Sequence, residues 1–290
     1  MNELEFEIID ASRRTIAQFG SVFETSGSFS TDQHSISFHT SIGPPQVGKT
    51  VNEDAILGFR SEDNSSIHWA CAVADGVGSS TYPEVGSRSA TWAALAYLVE
   101  HQKHRSARTQ GIDAIHFAQA AILKLAATLK ADLTDLKFKP SYLPTPAYRR
   151  VVNRQSCFQT TLCLVWCDGQ SIFLASVGDS GALQSSANKG LSKLFFPDVT
   201  HPQVNALCPS LSTISIDDWQ EISARQTSLA VFTDGVAKSL VDRHGDRIFK
   251  ELEFDALFSS GSAERSLHDL ELATPEDAAD NMSLLLVRPS

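Results

Sequence analysis

The sequence is poor in the residues that mark extracellular, fibrous or membrane chains. Only 5 of its 290 residues are cysteine: Cys71, Cys157, Cys163, Cys167 and Cys208. An odd, small count argues against a disulfide framework and for free thiols in a reducing compartment. The spacing of Cys157, Cys163 and Cys167 matches no zinc pattern. Alternation puts these three on one face of a single strand, where they read as buried structural thiols. Basic residues are also scarce, 24 against 34 acidic ones, giving a formal charge of −10. That field repels phosphate backbones and anionic lipid, so nucleic acid and membrane are excluded as principal partners. No apolar run approaches the roughly 18 residues of a membrane span. The opening MNELEFEIID lacks a basic segment followed by an apolar one. It therefore does not read as a secretory signal, and the expected location is cytoplasmic. With 42% hydrophobic and 20% charged residues, the chain is not disordered, collagenous or coiled coil in the main.

The positive signals describe an α+β chain. Residues 1–34 are weakly patterned and read as an N-terminal extension, with one domain over 35–290. Strands are expected over 35–39, 54–59, 67–74, 158–166, 172–177, 229–232 and 282–287. Asp168-Gly169 marks a hairpin between the fourth and fifth of these. A buried helix is expected over 83–101, started by Pro83 and Glu84. A second is expected from about Ile112 to Leu133, where Ile115, Ala118, Ile122, Leu125 and Leu129 form one apolar stripe. Further helical pieces are expected over 246–258 and 275–280. Residues 186–209 read as irregular. Strands, then helices, then strands suggest two antiparallel sheets meeting face to face with helices outside.

Aspartate recurs at the tips of these strands. Asp54 opens one, Asp75 and Asp179 close two more, Asp234 closes a fourth, and Asp280 precedes the last. Aspartate is common in turns, so any one of them could be a turn residue. Five at the ends of core strands imply a different cause. A pair of carboxylates at about 4 Å costs on the order of 4 kcal/mol at a surface-like dielectric. Convergent tips therefore require cations. An all-oxygen donor set without His or Cys favours Mg²⁺ or Mn²⁺ over zinc. Glycine after Asp75 and Asp234 lets the backbone turn sharply and lets carbonyls approach an ion.

Six segments then carry a resemblance. NEDA at 52–55, ADGVG at 74–78, TTL at 160–162, SVGDS at 176–180, FTDG at 232–235 and DNMSLLLV at 280–287 resemble, in order, the motifs of the metal-dependent PP2C-type protein phosphatases. The likeness spans roughly 35–288. It implies a four-layer αββα sandwich of two antiparallel sheets flanked by helices. The implied activity is hydrolysis of phosphoserine and phosphothreonine by a metal-activated water, with no nucleophilic Ser or Cys. By the same resemblance, Asp75 bridges two metals and the Gly76 carbonyl binds one of them. Asp234 and Asp280 hold the other, and Glu53 and Asp54 position metal-bound waters. Asp179 and Asp234 form a third, weaker site. The implied cofactors are two Mn²⁺ or Mg²⁺ ions. The implied partner is a phosphoprotein, a Ser/Thr kinase or its target.

Departures from that pattern leave an alternative open. The family's phosphate-gripping Arg corresponds here to Lys49, a compact charge without a bidentate fork. Val77 stands where animal members carry His, and Gly181 replaces a basic residue. His201 lies in the flap-like segment, and Arg149, Arg150 and Arg154 form a small basic run. The alternative is a weakly active or inactive protein of the same fold that binds a phosphorylated partner.

Overall fold

A computed structural model describes residues 25–43, 51–61, 66–80, 82–101, 106–135, 157–186, 190–197, 205–209, 214–225, 227–240, 257–274 and 280–290. The fold is α+β, in four layers. One sheet has six strands in the order β1-β2-β11-β10-β7-β8: β1 (Thr25–Ser30), β2 (His34–Ser41), β11 (Met282–Pro289), β10 (Thr227–Phe232), β7 (Gly181–Ser186) and β8 (Gly190–Phe195). The other has five in the order β3-β4-β5-β6-β9: β3 (Ala55–Arg60), β4 (Trp69–Ala74), β5 (Leu162–Cys167), β6 (Ser171–Val177) and β9 (Asp218–Ser223). Every strand pairing is antiparallel. Helices α1 (Pro83–Glu100) and α2 (Ala107–Asp135) cover the five-stranded sheet. Helices α3 (Asp234–Leu240) and α4 (Ala263–Ala273) cover the six-stranded one.

Strict alternation within apolar runs builds this layering. In β4, Cys71 and Val73 enter the core between the sheets, whereas Ala70, Ala72 and Ala74 face α1. In β10, Leu229 and Val231 face inward while Ala230 and Phe232 meet α3 and α4. In β11, Leu285 and Val287 face inward, with Leu284 and Leu286 outward. Central strands are buried on both faces, which is why they read as continuous apolar segments. Three alanines on the outer face of β4 let Ala90, Ala93 and Ala94 of α1 pack closely against that sheet.

Some expectations require correction. The sheet begins at Thr25, inside the segment set apart as an extension, because β1 pairs with β2 from Thr25↔Thr40 to Ser30↔Ser35. TSGSFS has one large apolar residue and reads as a loop; only pairing to a neighbour makes it an edge strand. The segment read as irregular contains β8. Strand β5 starts at Leu162, so Cys157 is not on it. Cys157 packs on the helix side, whereas Cys163 and Cys167 lie between the sheets. All five cysteines are buried, and none is in a disulfide. The expected helical pieces over 246–258 and 275–280 lie largely outside the described residues. No described helix is long and apolar enough to cross a membrane.

Candidate active site

Register brings the acidic tips together. Ala55 and Ala74 are direct partners across the β3–β4 pair. Asp54, just before β3, and Asp75, just after β4, therefore emerge side by side at one end of the five-stranded sheet. Phe232 and Leu284 are partners in the other sheet. Asp234, two residues past β10, and Asp280, two before β11, emerge at the corresponding end. Asp179 lies in the short connection by which β6 of one sheet passes to β7 of the other.

A buried polar network fixes these tips. The Thr233 hydroxyl donates to Asp54 Oδ2 (2.8 Å) and accepts from the Ser283 N–H (3.0 Å). Ser283 Oγ and Asn52 Nδ2 both donate to Thr40 Oγ1, at 2.8 and 2.9 Å. The Asp75 N–H donates to Thr161 Oγ1 (3.0 Å), and the Asp75 carbonyl accepts from the Thr160 hydroxyl and the Thr161 N–H, both at 2.8 Å. Asn281 ties two loops together: its Oδ1 accepts from the Glu53 N–H (3.1 Å) and its Nδ2 donates to the Ile42 carbonyl (3.0 Å). The Glu53 carbonyl also accepts from Ser87 Oγ of α1 at 2.6 Å. Satisfied networks of this kind hold side chains to one geometry.

The glycines after Asp75 and Asp234 serve close packing; neither has a positive φ. A Cβ on Gly76 would lie 2.6 Å from the Glu53 carbonyl oxygen. A Cβ on Gly235 would overlap the Asn281 carbonyl oxygen. Gly181, where a basic residue was expected, is likewise sterically required, because a Cβ there would enter the Phe232 ring.

The electrostatics are those of crowded acids. Burial, followed by the neighbouring Asp54, Asp234 and Asp179 carboxylates, raises Asp75 well above its ordinary 3.8. Burial raises Asp54 to about 7, although its carboxyl faces Asp75 at hydrogen-bonding range and accepts from Thr233. Burial, then the Asp234 charge, raises Asp179 to about 6. Asp54 Oδ1 and Asp179 Oδ1 are buried and meet no hydrogen-bond donor. Buried carboxylate oxygens without donors are the donor type that hard divalent cations take, so the chemistry of this side of the cluster fits Mg²⁺ or Mn²⁺.

The opposite side differs. Lys238 Nζ lies 2.7 Å from Asp234 Oδ2 and 2.7 Å from Asp280 Oδ2. Burial lowers the Lys238 pKa, but the two carboxylates outweigh it and raise it overall. Among the described residues, no group of three or more His, Cys, Asp or Glu side chains is arranged as a ready metal cage. Two of the cluster's carboxylates already face an ammonium. Sequence reasoning missed Lys238, although a Lys four residues after Asp234 on a helix is one turn away and on the same face. It also missed Thr233, Thr40 and Asn281, which carry the support. Lys49, His201, Arg149, Arg150 and Arg154 lie outside the described residues.

Comparison with known proteins identifies the family and the fold. The sequence profile of the protein phosphatase 2C family matches residues 46–273. No curated protein sequence matches. Among solved structures, the catalytic domain of the serine/threonine protein phosphatase PstP, in complex with two manganese ions, superposes with a TM-score of 0.59 at 18% identity. That match covers 89% of this chain and 98% of that one. Stp1 from Staphylococcus aureus gives 0.58 at 18% identity, over 87% of this chain and 94% of that one. PppA from Pseudomonas aeruginosa gives 0.55 at 18% identity, over 91% and 100%. The profile match spans most of the chain, and the superpositions reproduce its two-sheet fold. The chain belongs to the protein phosphatase 2C family of protein serine/threonine phosphatases.

Proposed function

We propose that this protein hydrolyses phosphoserine and phosphothreonine in a phosphoprotein, a Ser/Thr kinase or a kinase's target, in the cytoplasm. The observation that carries the proposal is the convergence of five strand-tip carboxylates, two with buried oxygens that meet no donor, within a phosphatase 2C fold. The two manganese ions of the PstP catalytic domain support Mn²⁺ or Mg²⁺ as the cofactor. Asp75 and the Gly76 carbonyl would hold one ion, Asp234 and Asp280 a second, and Asp179 with Asp234 a third. When bound, such ions supply Lewis acidity to the phosphoryl oxygens and an acidified water for in-line attack. Asp54, held by Thr233, and Glu53, held through its backbone, orient that water. Lys49 binds the substrate phosphate as a point charge. No cysteine takes part: all five are buried, and burial pushes the Cys71 and Cys163 thiols far up and that of Cys167 to about 11.

A phosphothreonine peptide incubated with the protein and millimolar Mn²⁺ or Mg²⁺ should release phosphate, and EDTA should abolish release. Binding of the peptide without release in any metal would instead support the second reading, a phosphoprotein-binding member without turnover. The ammonium on Asp234 and Asp280 favours that reading.

A further inference from the structure

We propose that Lys238 is a resident counter-cation. Its ammonium holds the cation position shared by Asp234 and Asp280, and a divalent ion reaches that pair only by displacing it. The inference rests on the reading of the cluster as a phosphatase metal centre. Three observations carry it.

The first is geometric. Lys238 Nζ is 2.7 Å from one oxygen of each carboxylate, so it is centred between the two side chains. It comes from the last turn of α3, four residues after Asp234, which lies in the first. The helix thus delivers both the acid and its cation, as the i,i+4 relation requires.

The second is asymmetry within the cluster. The two acids that contact Lys238 have Oδ2 satisfied by it. Asp54 Oδ1 and Asp179 Oδ1 meet no donor. The oxygens that meet no donor therefore lie on Asp54 and Asp179 and not on the pair that Lys238 bridges, and a divalent ion enters on that side first.

The third is accessibility. The Lys238 side chain is 33% exposed, against 17% for Asp234 and 26% for Asp280. The ammonium can therefore swing into water on its four-carbon stem when an ion takes its place, without repacking the core. Lys238 is a positioning residue in this account: it sets ion occupancy and touches no reacting atom.

The test counts ions directly. Free Mn²⁺ is measured by electron paramagnetic resonance during titration of the whole chain. The wild type is compared with Lys238→Gln, Lys238→Arg and Asp75→Asn. In Lys238→Gln the weaker Mn²⁺ should bind at least about tenfold tighter than in the wild type, because the competing charge is gone. Lys238→Arg should stay close to the wild type. A second readout needs no variant fold. The side-chain carbon resonance of Lys238 in the wild type should shift when Mg²⁺ is added, reporting release of the ammonium.

Equal or weaker Mn²⁺ binding in Lys238→Gln, with binding still lost in Asp75→Asn, would overturn the inference and leave the phosphatase reading standing. A Lys238 resonance unmoved while Mg²⁺ binds would do the same. Absence of Mn²⁺ binding in every form would overturn both.

Discussion

Three carboxyls at the strand tips hold their protons more tightly in the fold than they would in an unfolded chain. Asp54 is raised from 3.8 to about 7, Asp179 to about 6, and Asp75 well above 3.8, all chiefly by burial. In the metal-free protein their contribution to stability is therefore fully present below pH 3.8. It is withdrawn as pH rises through 6 and 7, the reverse of an ordinary paired carboxylate. A divalent ion binds the ionised forms. The rise in melting temperature produced by saturating Mg²⁺, relative to EDTA, should be larger at pH 8 than at pH 5.5. His34 acts in the opposite direction. Burial lowers its pKa from 6.5, so its contribution is present above 6.5 and lost as pH falls. Its ring donates from Nε2 to the Ala224 carbonyl (2.8 Å) and accepts from Trp69 Nε1 (3.3 Å), far from the acids. It acts equally with and without metal and drops out of the difference. Paired calorimetric scans make the comparison; an equal Mg²⁺ shift at both pH values would contradict the assignment.

At the scale of elements, α1 is seated by two residues in left-handed backbone. Tyr82, which caps α1 in place of a hydrogen-bonding side chain, has φ 60, and Phe158 has φ 57. Each costs about 1–3 kcal/mol and persists only under strong packing. Their rings stack with centroids 6.2 Å apart, and Gly86 in the next turn lies so close that a Cβ would overlap the Phe158 carbonyl oxygen. Gly86→Ala gains about 1 kcal/mol of helix propensity. Overpacking against a backbone that is already strained costs about 1–3 kcal/mol, so the variant should melt lower by urea or heat. Unchanged stability would mean that the clasp yields freely. Gly235→Ala should displace Asp234 from Asp280, since the Asn281 carbonyl blocks the new methyl group. The expected readout is loss of Mn²⁺ binding with the far-ultraviolet circular dichroism preserved.

Elements differed in how far sequence patterns disclosed them, and the reason is physical. β4, β5, β6, β10, β11, α1 and α2 carry long apolar runs or stripes because they are buried on one or both faces. β1, β8 and β9 are edge strands. GLSKLF is exposed along most of its length, and DWQEIS carries partly exposed polar residues. Their strand character comes from pairing with a neighbour, which composition does not record. Helix α4, AERSLHDLELA, was missed although Ser262 accepts from the Arg265 N–H in an ordinary N-cap.

For the whole molecule, the two sheets bury their apolar inner faces against each other, and that packing brings acids from distant segments to one edge. The aspartates were legible because a carboxylate at the end of one apolar strand after another stands out from turn composition. The supports beneath them were not. Thr40, Asn52, Thr233 and Ser283 are ordinary polar residues until the sheets stack and bury them. Lys238 was legible only as a surface lysine, because helix α3 was not foreseen. The proposed metal-dependent phosphatase centre at Asp75, presented by this two-sheet scaffold, meets its most direct test in hydrolysis of a phosphothreonine peptide by wild type and Asp75→Asn at saturating Mn²⁺. A misplaced ion forfeits several kcal/mol of charge stabilisation, so Asp75→Asn should lose at least about 100-fold in kcat/KM. Wild-type hydrolysis that persists in EDTA, or equal rates in the two proteins, would contradict it.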